Sequence, residues 1–253
     1  MARRAQLPWL APGDPFPNPD RSWGPGDPVP GLLAAGGAVD CATLQAAYRR
    51  GIFPWYSEGQ PILWWSPDPR MVLRPRDFQL HHSLRKVLKR FRASDNCEIR
   101  IDHDFSNVIT ECSNKTRVGQ SGTWITDEIR SAYGDLNRQG LAHSFETWID
   151  GRLVGGLYCV ALGKAVFGES MFSHAPDASK IALSALVCFS LVHGVELIDC
   201  QQNTSHLASL GAREIPRDEF LKAVSAGLDR QIPDWKFNSV YWEQLLGQPA
   251  VPK

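Results

Sequence analysis

The sequence predicts an α+β protein whose sheet contains both parallel and antiparallel strands. Two apolar segments flank Asp150-Gly151, the dipeptide that favours a type I′ turn, and so predict a β-hairpin. Further on, an almost wholly apolar segment ends at Gly194, which indicates a buried helix between two strands. A hairpin makes neighbouring strands antiparallel and a connecting helix makes them parallel, so the sheet is mixed. The expected elements are strands over 144–149, 152–160, 164–167 and 196–200, with the helix over 177–193.

Capping residues predict the remaining helices. Asp40 is suited to an N-cap, and Gly51 to the left-handed position that ends a helix. Ser83 and Thr126 are expected to cap two later helices, of which the second closes at Gly140. The predicted helices run from 40 to 50, 83 to 92, 104 to 112, 126 to 140, 204 to 210 and 218 to 228.

The first 30 residues are expected to form an extended arm. They hold eight of the 18 prolines, a composition that excludes a helix or a central strand. Trp9, Phe16 and Trp23 are expected to attach the arm to a neighbouring surface, because a fully disordered arm is rarely so aromatic. The aromatic segments at 52–56 and 62–70 contain prolines, which favours a rigid surface over simple strands.

Composition limits the classes of function. Lys and Arg number 27 and so do Asp and Glu, so a polyanionic partner needs a local basic patch. The longest apolar run, 181–192, is shorter than the roughly 20 residues that span a bilayer, and the N-terminus lacks the apolar core of a signal peptide. We therefore expect a cytoplasmic protein without membrane contact. The six cysteines are dispersed without zinc spacing, so neither a metal nor another cofactor is expected.

A basic segment between residues 70 and 92 is the candidate for that patch. It holds eight Lys or Arg residues against the single acid Asp77, a local excess of seven positive charges. One interpretation is a solvated helix face, and the other is binding to a phosphate backbone. The candidate phosphate-binding residues on the helix within this segment are Arg85, Lys86, Lys89 and Arg90.

Polar residues after two predicted strands form the candidate site. Glu169 is expected beyond the strand that ends at Phe167, and Asp199 and Gln201 at the end of the strand over 196–200. Strand ends of this kind hold ligands in open α/β sheets. The alternatives are structural: a carboxylate that accepts loop amides at 169, and a turn or N-cap acid at 199. Four tryptophans line a cavity or fill the core, namely Trp55, Trp64, Trp65 and Trp124.

Eight segments, in this order, resemble the bacterial leucyl/phenylalanyl-tRNA protein transferase family. They are 31–37 (GLLAAGG), 47–55 (AYRRGIFPW), 64–70 (WWSPDPR), 122–126 (GTWIT), 142–144 (AHS), 153–158 (LVGGLY), 168–173 (GESMFS) and 197–201 (LIDCQ). The resemblance extends over about residues 31–220. It implies a small N-terminal domain, which we expect over 1–69, followed by a GNAT-like acyltransferase domain over 70–253.

The resemblance also implies an activity. Members transfer Leu or Phe, and less efficiently Met, from aminoacyl-tRNA to proteins with an N-terminal Arg or Lys, which creates N-degrons for proteolysis. The positions matching Asp199 and Gln201 are assigned to catalysis, and the one matching Glu169 to positioning of the substrate. The aminoacyl side chain is assigned to an apolar pocket that corresponds here to Trp55, Trp124, Leu157, Ile198 and the region of Glu169.

The chain departs from the family pattern at Thr204, where relatives commonly carry Asn, while Asn203 lies one position earlier. Either the loop shifts to present Asn203, or a shorter hydroxyl serves. Peptide-bond formation from an activated ester needs orientation more than a strong base, so we expect Asp199 to hold the amide of Gln201 towards the attacking amine. The proton of the amine is expected to pass to Asp199, to water or to the ribose hydroxyl. The alternative function is a non-catalytic RNA- or peptide-binding module. An acyl-CoA acetyltransferase is disfavoured because the chain lacks the R-x-x-G-x-[GA] turn that binds pyrophosphate.

Overall fold

The computed structural model describes residues 7–114, 124–232 and 234–247. A small four-stranded sheet forms the N-terminal part, in the order β1-β2-β4-β3. Its strands are β1 (Trp9–Leu10), β2 (Leu32–Gly36), β3 (Phe53–Pro54) and β4 (Leu63–Trp65). The aromatic segments around β3 and β4 are therefore paired strands, so the expectation of a non-strand surface there was wrong. The prolines are tolerated because β3 lies at the edge of the sheet and Pro61 precedes β4.

The N-terminal arm is attached to this sheet, although not by all the residues expected. Phe16 is buried and packs edge-on against Trp64, with ring centroids 4.7 Å apart, and Trp23 packs against the core. Trp9 is 71% exposed, so its predicted anchoring role was wrong. What holds this part of the arm is the backbone, because β1 pairs in parallel with β2. Residues 1–6 of the arm lie outside the described residues.

A seven-stranded mixed sheet forms the larger part of the molecule, in the order β11-β5-β10-β9-β8-β7-β6. Its strands are β5 (Arg70–Leu73), β6 (Cys97–Ile101), β7 (Ala142–Ile149), β8 (Arg152–Leu162), β9 (Ala165–Ser173), β10 (Ile198–Gln201) and β11 (Arg213–Ile215). β9 and β10 are parallel and their other neighbours antiparallel, so the predicted mixed sheet is confirmed. The predicted hairpin joins β7 and β8, with positive φ at both Asp150 and Gly151.

Eight helices occur among the described residues, and they cover both faces of the large sheet. They are α1 (Cys41–Tyr48), α2 (His82–Ala93), α3 (Phe105–Asn114), α4 (Asp127–Arg138), α5 (Ala178–His193), α6 (Ser205–Ser209), α7 (Arg217–Leu228) and α8 (Glu243–Leu246). The apolar helix α5 is buried against β7 and β8, while α3 and α4 pack on the opposite face. The contact between α1 and α4 brings the N-terminal part beside the sheet.

The predicted caps are confirmed with one exception. Asp40 accepts a hydrogen bond from the N–H of Thr43, and Thr126 from that of Ile129. Ser83 is not a cap, because α2 already begins at His82. In the described part of the chain, no helix has both the length and the apolar character required to cross a membrane.

Candidate active site

The site lies where the two parallel strands of the large sheet separate. β9 and β10 pair only at Val166 with Ile198 and at Phe167 with Asp199. Beyond these pairs β9 continues for six residues along β8, whereas β10 turns away and ends at Gln201. The separation opens a cavity of about 670 Å³, a size typical of small-molecule sites.

Two β-bulges point polar side chains into this opening. On β9, Gly168 pairs with Cys159 and Ser170 with Tyr158, so Glu169 is the extra residue of a bulge. The expectation that Glu169 follows its strand was therefore wrong, since β9 runs on to Ser173. A bulge inserts one residue without ending the strand, and this irregularity places Glu169 on the cavity wall.

The second bulge lies on β10, where Asp199 pairs with Val72 and Gln201 with Met71, which leaves Cys200 as the extra residue. Gln201 follows with φ of 62°, in the left-handed backbone region that residues other than Gly rarely adopt. Cys200 lines the cavity, but burial raises the pKa of its thiol, so it is not a thiolate nucleophile at neutral pH.

Three side chains donate hydrogen bonds to the Glu169 carboxylate. The hydroxyl of Tyr48 reaches Oε1 at 2.7 Å, the hydroxyl of Tyr133 reaches Oε2 at 3.3 Å, and Nε2 of Gln201 reaches Oε1 at 3.1 Å. The two tyrosine hydroxyls also lie within hydrogen-bonding distance of each other, and because each carries a single proton, the three oxygen–oxygen contacts of this cluster are satisfied together only when Glu169 is protonated. Burial raises both tyrosine pKa values, so both remain neutral donors. Side chains thus hold the Glu169 carboxylate. The structural alternative, a carboxylate that accepts loop amides, is not what the structure shows.

The environment of Glu169 makes it easier to protonate than an ordinary glutamate. Burial raises its pKa to about 7, and the nearby charge of Asp199 acts in the same direction. The hydrogen bonds from Tyr48, Gln201 and Tyr133 favour the ionised form and limit the rise. Glu169 therefore changes charge close to neutral pH.

Asp199 is fully buried and forms an ion pair with Arg70, which is equally buried. Nε of Arg70 donates to Oδ1 at 2.7 Å and Nη2 donates to Oδ2 at 2.6 Å. Oδ1 also accepts the backbone N–H of Gln201 at 2.9 Å. We expected Asp199 to hold the side-chain amide of Gln201. The structure gives that contact to Glu169 instead, and only the backbone N–H of Gln201 reaches Asp199.

The residues assigned to substrate binding all line the same cavity. Its wall includes the set Trp55, Trp124, Leu157, Glu169 and Ile198, together with Asp199 and Gln201. Trp64 is fully buried and Trp65 nearly so, and they belong to the core rather than to the cavity. Gly122 and Thr123 of the segment that contains Trp124 lie outside the described residues.

Sequence reasoning missed three side chains of the site. Tyr48 and Tyr133 come from α1 and α4, and nothing in the local sequence distinguishes them from core residues. Arg70 was counted with the basic segment, whereas it lies in the interior beside Asp199.

The departure at Thr204 has a local explanation. Its hydroxyl accepts the N–H of Leu207 at 3.2 Å and so caps α6, while the residue also lines the cavity. Asn203 is exposed and is not part of the cavity wall. Of the two residues, Thr204 therefore lines the cavity and Asn203 faces solvent.

The basic segment loses several of its expected surface charges. Arg85 is buried, and its Nη1 donates to the carbonyl of Leu246 at 3.1 Å, so the expectation that it lies on the exposed basic face of the helix was wrong. Arg74 pairs with Glu219, and Arg92 with Glu243. Three basic residues predicted on the exposed face of α2 do lie there, namely Lys86, Lys89 and Arg90.

Comparison with known proteins identifies the family of this two-part α+β protein as one of aminoacyltransferases. The family model described as leucyl/phenylalanyl-tRNA protein transferase matches residues 72–225, and the model of that family's N-terminal domain matches 37–68. The chain therefore belongs to the leucyl/phenylalanyl-tRNA protein transferase family. The order of a small N-terminal domain before the transferase domain is confirmed, and the helices and mixed sheet of the described residues confirm the predicted α+β class.

Curated relatives agree with this result over nearly the whole chain. A leucyl/phenylalanyl-tRNA–protein transferase from Albidiferax ferrireducens is 60% identical over 240 residues, which cover 95% of this chain and 94% of the relative. One from a Polaromonas species is 56% identical over 248 residues, 97% of each chain. Among solved structures, a GCN5-related N-acetyltransferase from Kribbella flavida aligns at a TM-score of 0.31 and 12% identity, over 67% of this chain and 59% of that one. That likeness is too distant to carry an argument.

The pKa of Glu169 predicts a stability difference that depends on pH. Since its folded pKa of about 7 exceeds the ordinary 4.5, the native state retains a proton that the unfolded state releases. The resulting stability is complete below pH 4.5 and is lost as the pH rises through 7, by up to about 3 kcal/mol. Urea unfolding of the wild type and of Glu169→Gln between pH 5 and 8 measures this, because the Gln variant does not titrate. If the free energy of unfolding changed equally with pH in the two proteins, the buried environment assigned to Glu169 would be contradicted.

Proposed function

We propose that this chain transfers Leu or Phe, and less efficiently Met, from aminoacyl-tRNA to the N-terminal Arg or Lys of acceptor proteins, which marks them for proteolysis. The observation that carries the proposal is the membership of nearly the whole chain in the leucyl/phenylalanyl-tRNA protein transferase family. The cavity between β9 and β10 supports it, because its lining combines apolar side chains with the carboxylate of Glu169. We also propose a cytoplasmic location, where aminoacyl-tRNA is available.

The apolar lining of the cavity is suited to the donor side chain. Trp55 and Trp124 contribute indole surfaces to the cavity lining, and Leu157, Ile198 and Met171 contribute aliphatic and thioether surfaces. Burying an apolar side chain such as Leu or Phe against such surfaces gains about 1.5–3 kcal/mol. A charged donor side chain would lose its hydration there without a partner.

The carboxylate of Glu169 is suited to a cationic acceptor. Asp199 is neutralised by Arg70, so Glu169 supplies a carboxylate that faces the cavity without a cationic partner in its hydrogen bonds. An acceptor that begins with Arg or Lys carries two positive charges, one on the α-amino group and one on the side chain. Attraction to Glu169 favours such an acceptor over one with a neutral first side chain.

The reaction is aminolysis of the aminoacyl ester. The attacking α-amine has an ordinary pKa near 8, so a useful fraction is neutral at pH 7. The bond between its nitrogen and the carbonyl carbon forms, the ester C–O bond breaks, and the amine's proton passes to the ribose oxygen directly or through water. Nε2 of Gln201 is directed to Glu169, which leaves Oε1 of Gln201 to accept an N–H of the amine and orient it.

Contact with tRNA is assigned to the exposed face of α2. Lys86, Lys89 and Arg90 are close together on this helix, and cationic side chains bind phosphates with little dependence on base sequence. We place the boundary between the two domains at 69/70, since β4 of the small sheet ends at Trp65 and β5 of the large sheet begins at Arg70.

A transfer assay tests the proposed function. Purified protein is incubated with tRNA charged with labelled Phe and with peptides that are identical except for a first residue of Arg, Lys or Ala. We expect label in the Arg and Lys peptides and at least about tenfold less in the Ala peptide, because the Ala peptide lacks the second positive charge. Equal labelling of the three would overturn the acceptor assignment. Binding of charged tRNA without any transfer would favour the alternative of a non-catalytic binding module.

The assignment of α2 predicts a change in salt dependence. Replacing Lys86, Lys89 and Arg90 by Ala should weaken binding of every tRNA alike, and each lost phosphate contact lowers the slope of log K against log salt by about 1. Arg85→Ala is the matched control on the same helix, since its buried side chain should affect the melting temperature rather than the slope. A triple variant with the wild-type slope would show that this face does not bind tRNA.

A further inference from the structure

Arg70 makes three hydrogen bonds beside the site, yet the transfer chemistry described above gives it no role. Besides its two bonds to Asp199, its Nη1 donates to the carbonyl oxygen of Gly51 at 3.1 Å. The side chain is completely buried. One guanidinium therefore connects β5, β10 and the turn after α1.

Aromatic rings fix the plane of this guanidinium. Its central carbon lies 4.7 Å from the ring centroid of Phe53 and 4.5 Å from that of Phe220. A planar guanidinium is held well by two rings and can bind both carboxylate oxygens at once, whereas a lysine ammonium binds as a point charge. The orientation of Asp199 is consequently determined by β3 and α7 as well as by β10.

Asp199 in turn binds the backbone of Gln201. The Oδ1 atom that accepts Nε of Arg70 also accepts the backbone N–H of Gln201. The backbone of Gln201 lies in the left-handed region, which is unfavourable for a residue with a Cβ atom. Such a residue stays there only where surrounding contacts hold it. The hydrogen bond to Asp199 is such a contact, and it aims the Gln201 side chain at Glu169.

We propose that Arg70 is a positioning residue of the transfer reaction, which acts through Asp199 to hold Gln201 in the orientation that receives the attacking amine. The proposal rests on the proposed function, since it concerns the same aminolysis step. Arg70 does not touch the substrate. Asp199 is then the connecting group between Arg70 and Gln201, and its carboxylate, with both oxygens bound by the guanidinium, is not the acceptor of the amine's proton.

The proposal predicts an effect on the rate of transfer rather than on donor binding. The surfaces assigned to the donor side chain, Trp124 and Leu157, make no hydrogen bond or ion pair with Arg70 in the described structure. Loss of the two-point contact would let the backbone at Gln201 relax and move its amide oxygen. A misplacement of about 1 Å of an orienting group can cost about 100-fold in rate.

The test compares Arg70→Lys with Arg217→Lys as a matched control. Arg217 is also a buried arginine, and its Nη1 donates to the carbonyl of Ser66 at 2.8 Å, but its hydrogen bonds do not include Asp199 or Gln201. For each folded variant we would measure the melting temperature, the affinity for charged tRNA and the single-turnover rate of transfer to an Arg peptide. Arg70→Lys should lose about 10- to 100-fold in rate with donor affinity within twofold of wild type. Arg217→Lys should melt lower and transfer at the wild-type rate.

A double-mutant cycle separates positioning from general stability. If Arg70 acts through Gln201, Arg70→Lys should cost less than about threefold further in a Gln201→Ala protein. Full additivity of the two losses, or a wild-type rate for Arg70→Lys, would overturn the proposal. Should Arg70→Lys not fold, Asp199→Asn takes its place in the cycle with the same criteria, because it breaks the same ion pair at constant size.

The wild-type protein in the same assay distinguishes failure of the positioning role of Arg70 from failure of the proposed function. Transfer by the wild type together with an unaffected Arg70→Lys would remove the positioning role and leave the proposed function intact. Absence of transfer by the wild type from any charged tRNA would instead overturn the proposed function, and with it this inference.

Discussion

A carboxylate and a guanidinium that are both withdrawn from water must satisfy each other, because either one alone would lose its hydration without compensation. Arg70 and Asp199 are in this situation, with no exposed side-chain surface on either. Breaking such a pair by removing one partner typically costs about 3–5 kcal/mol. The pair therefore fixes β5 against β10 at one point, and the carbonyl of Gly51 adds the end of α1 to the same point.

The geometry of the cavity depends on the ion pair between Arg70 and Asp199. Directly beyond Asp199, β10 bulges at Cys200 and turns away from β9, while β9 bulges at Glu169 and continues beside β8. The two irregularities bring Glu169 and Gln201 to hydrogen-bonding distance across the gap. Because the ion pair is neutral as a whole, the charge of the cavity is determined mainly by Glu169, whose pKa of about 7 lies near physiological pH. In the proposed reaction, Gln201 on β10 orients the attacking amine, and Glu169 on β9 attracts the cationic acceptor.

Local patterns predicted the parts of the fold that local chemistry decides, such as the Asp150-Gly151 hairpin, the caps at Asp40 and Thr126, and the apolar α5. They missed β5, β6 and β11, which are short or polar strands whose existence depends on partners remote in sequence. The positions of the site residues were predicted through family resemblance, but their contacts were not. Arg70 lies 129 positions from Asp199, Tyr48 lies 121 from Glu169, and the C-terminal segment that covers Arg85 is 161 positions away. A bulge at Glu169 is likewise decided by the pairing of two strands.

The most direct test of the account is a crystal structure with a non-hydrolysable phenylalanyl adenosine in which an amide replaces the ester. We predict that the phenyl ring lies against Trp124 and Leu157 between β9 and β10. The carbonyl carbon should lie within about 6 Å of Oε1 of Gln201, because the attacking nitrogen must be about 3 Å from both atoms. Glu169 should retain its contact with Gln201 in that complex. An analogue bound elsewhere on the protein, or bound with its carbonyl remote from Gln201, would contradict the placement of the reaction at the separation of the two strands.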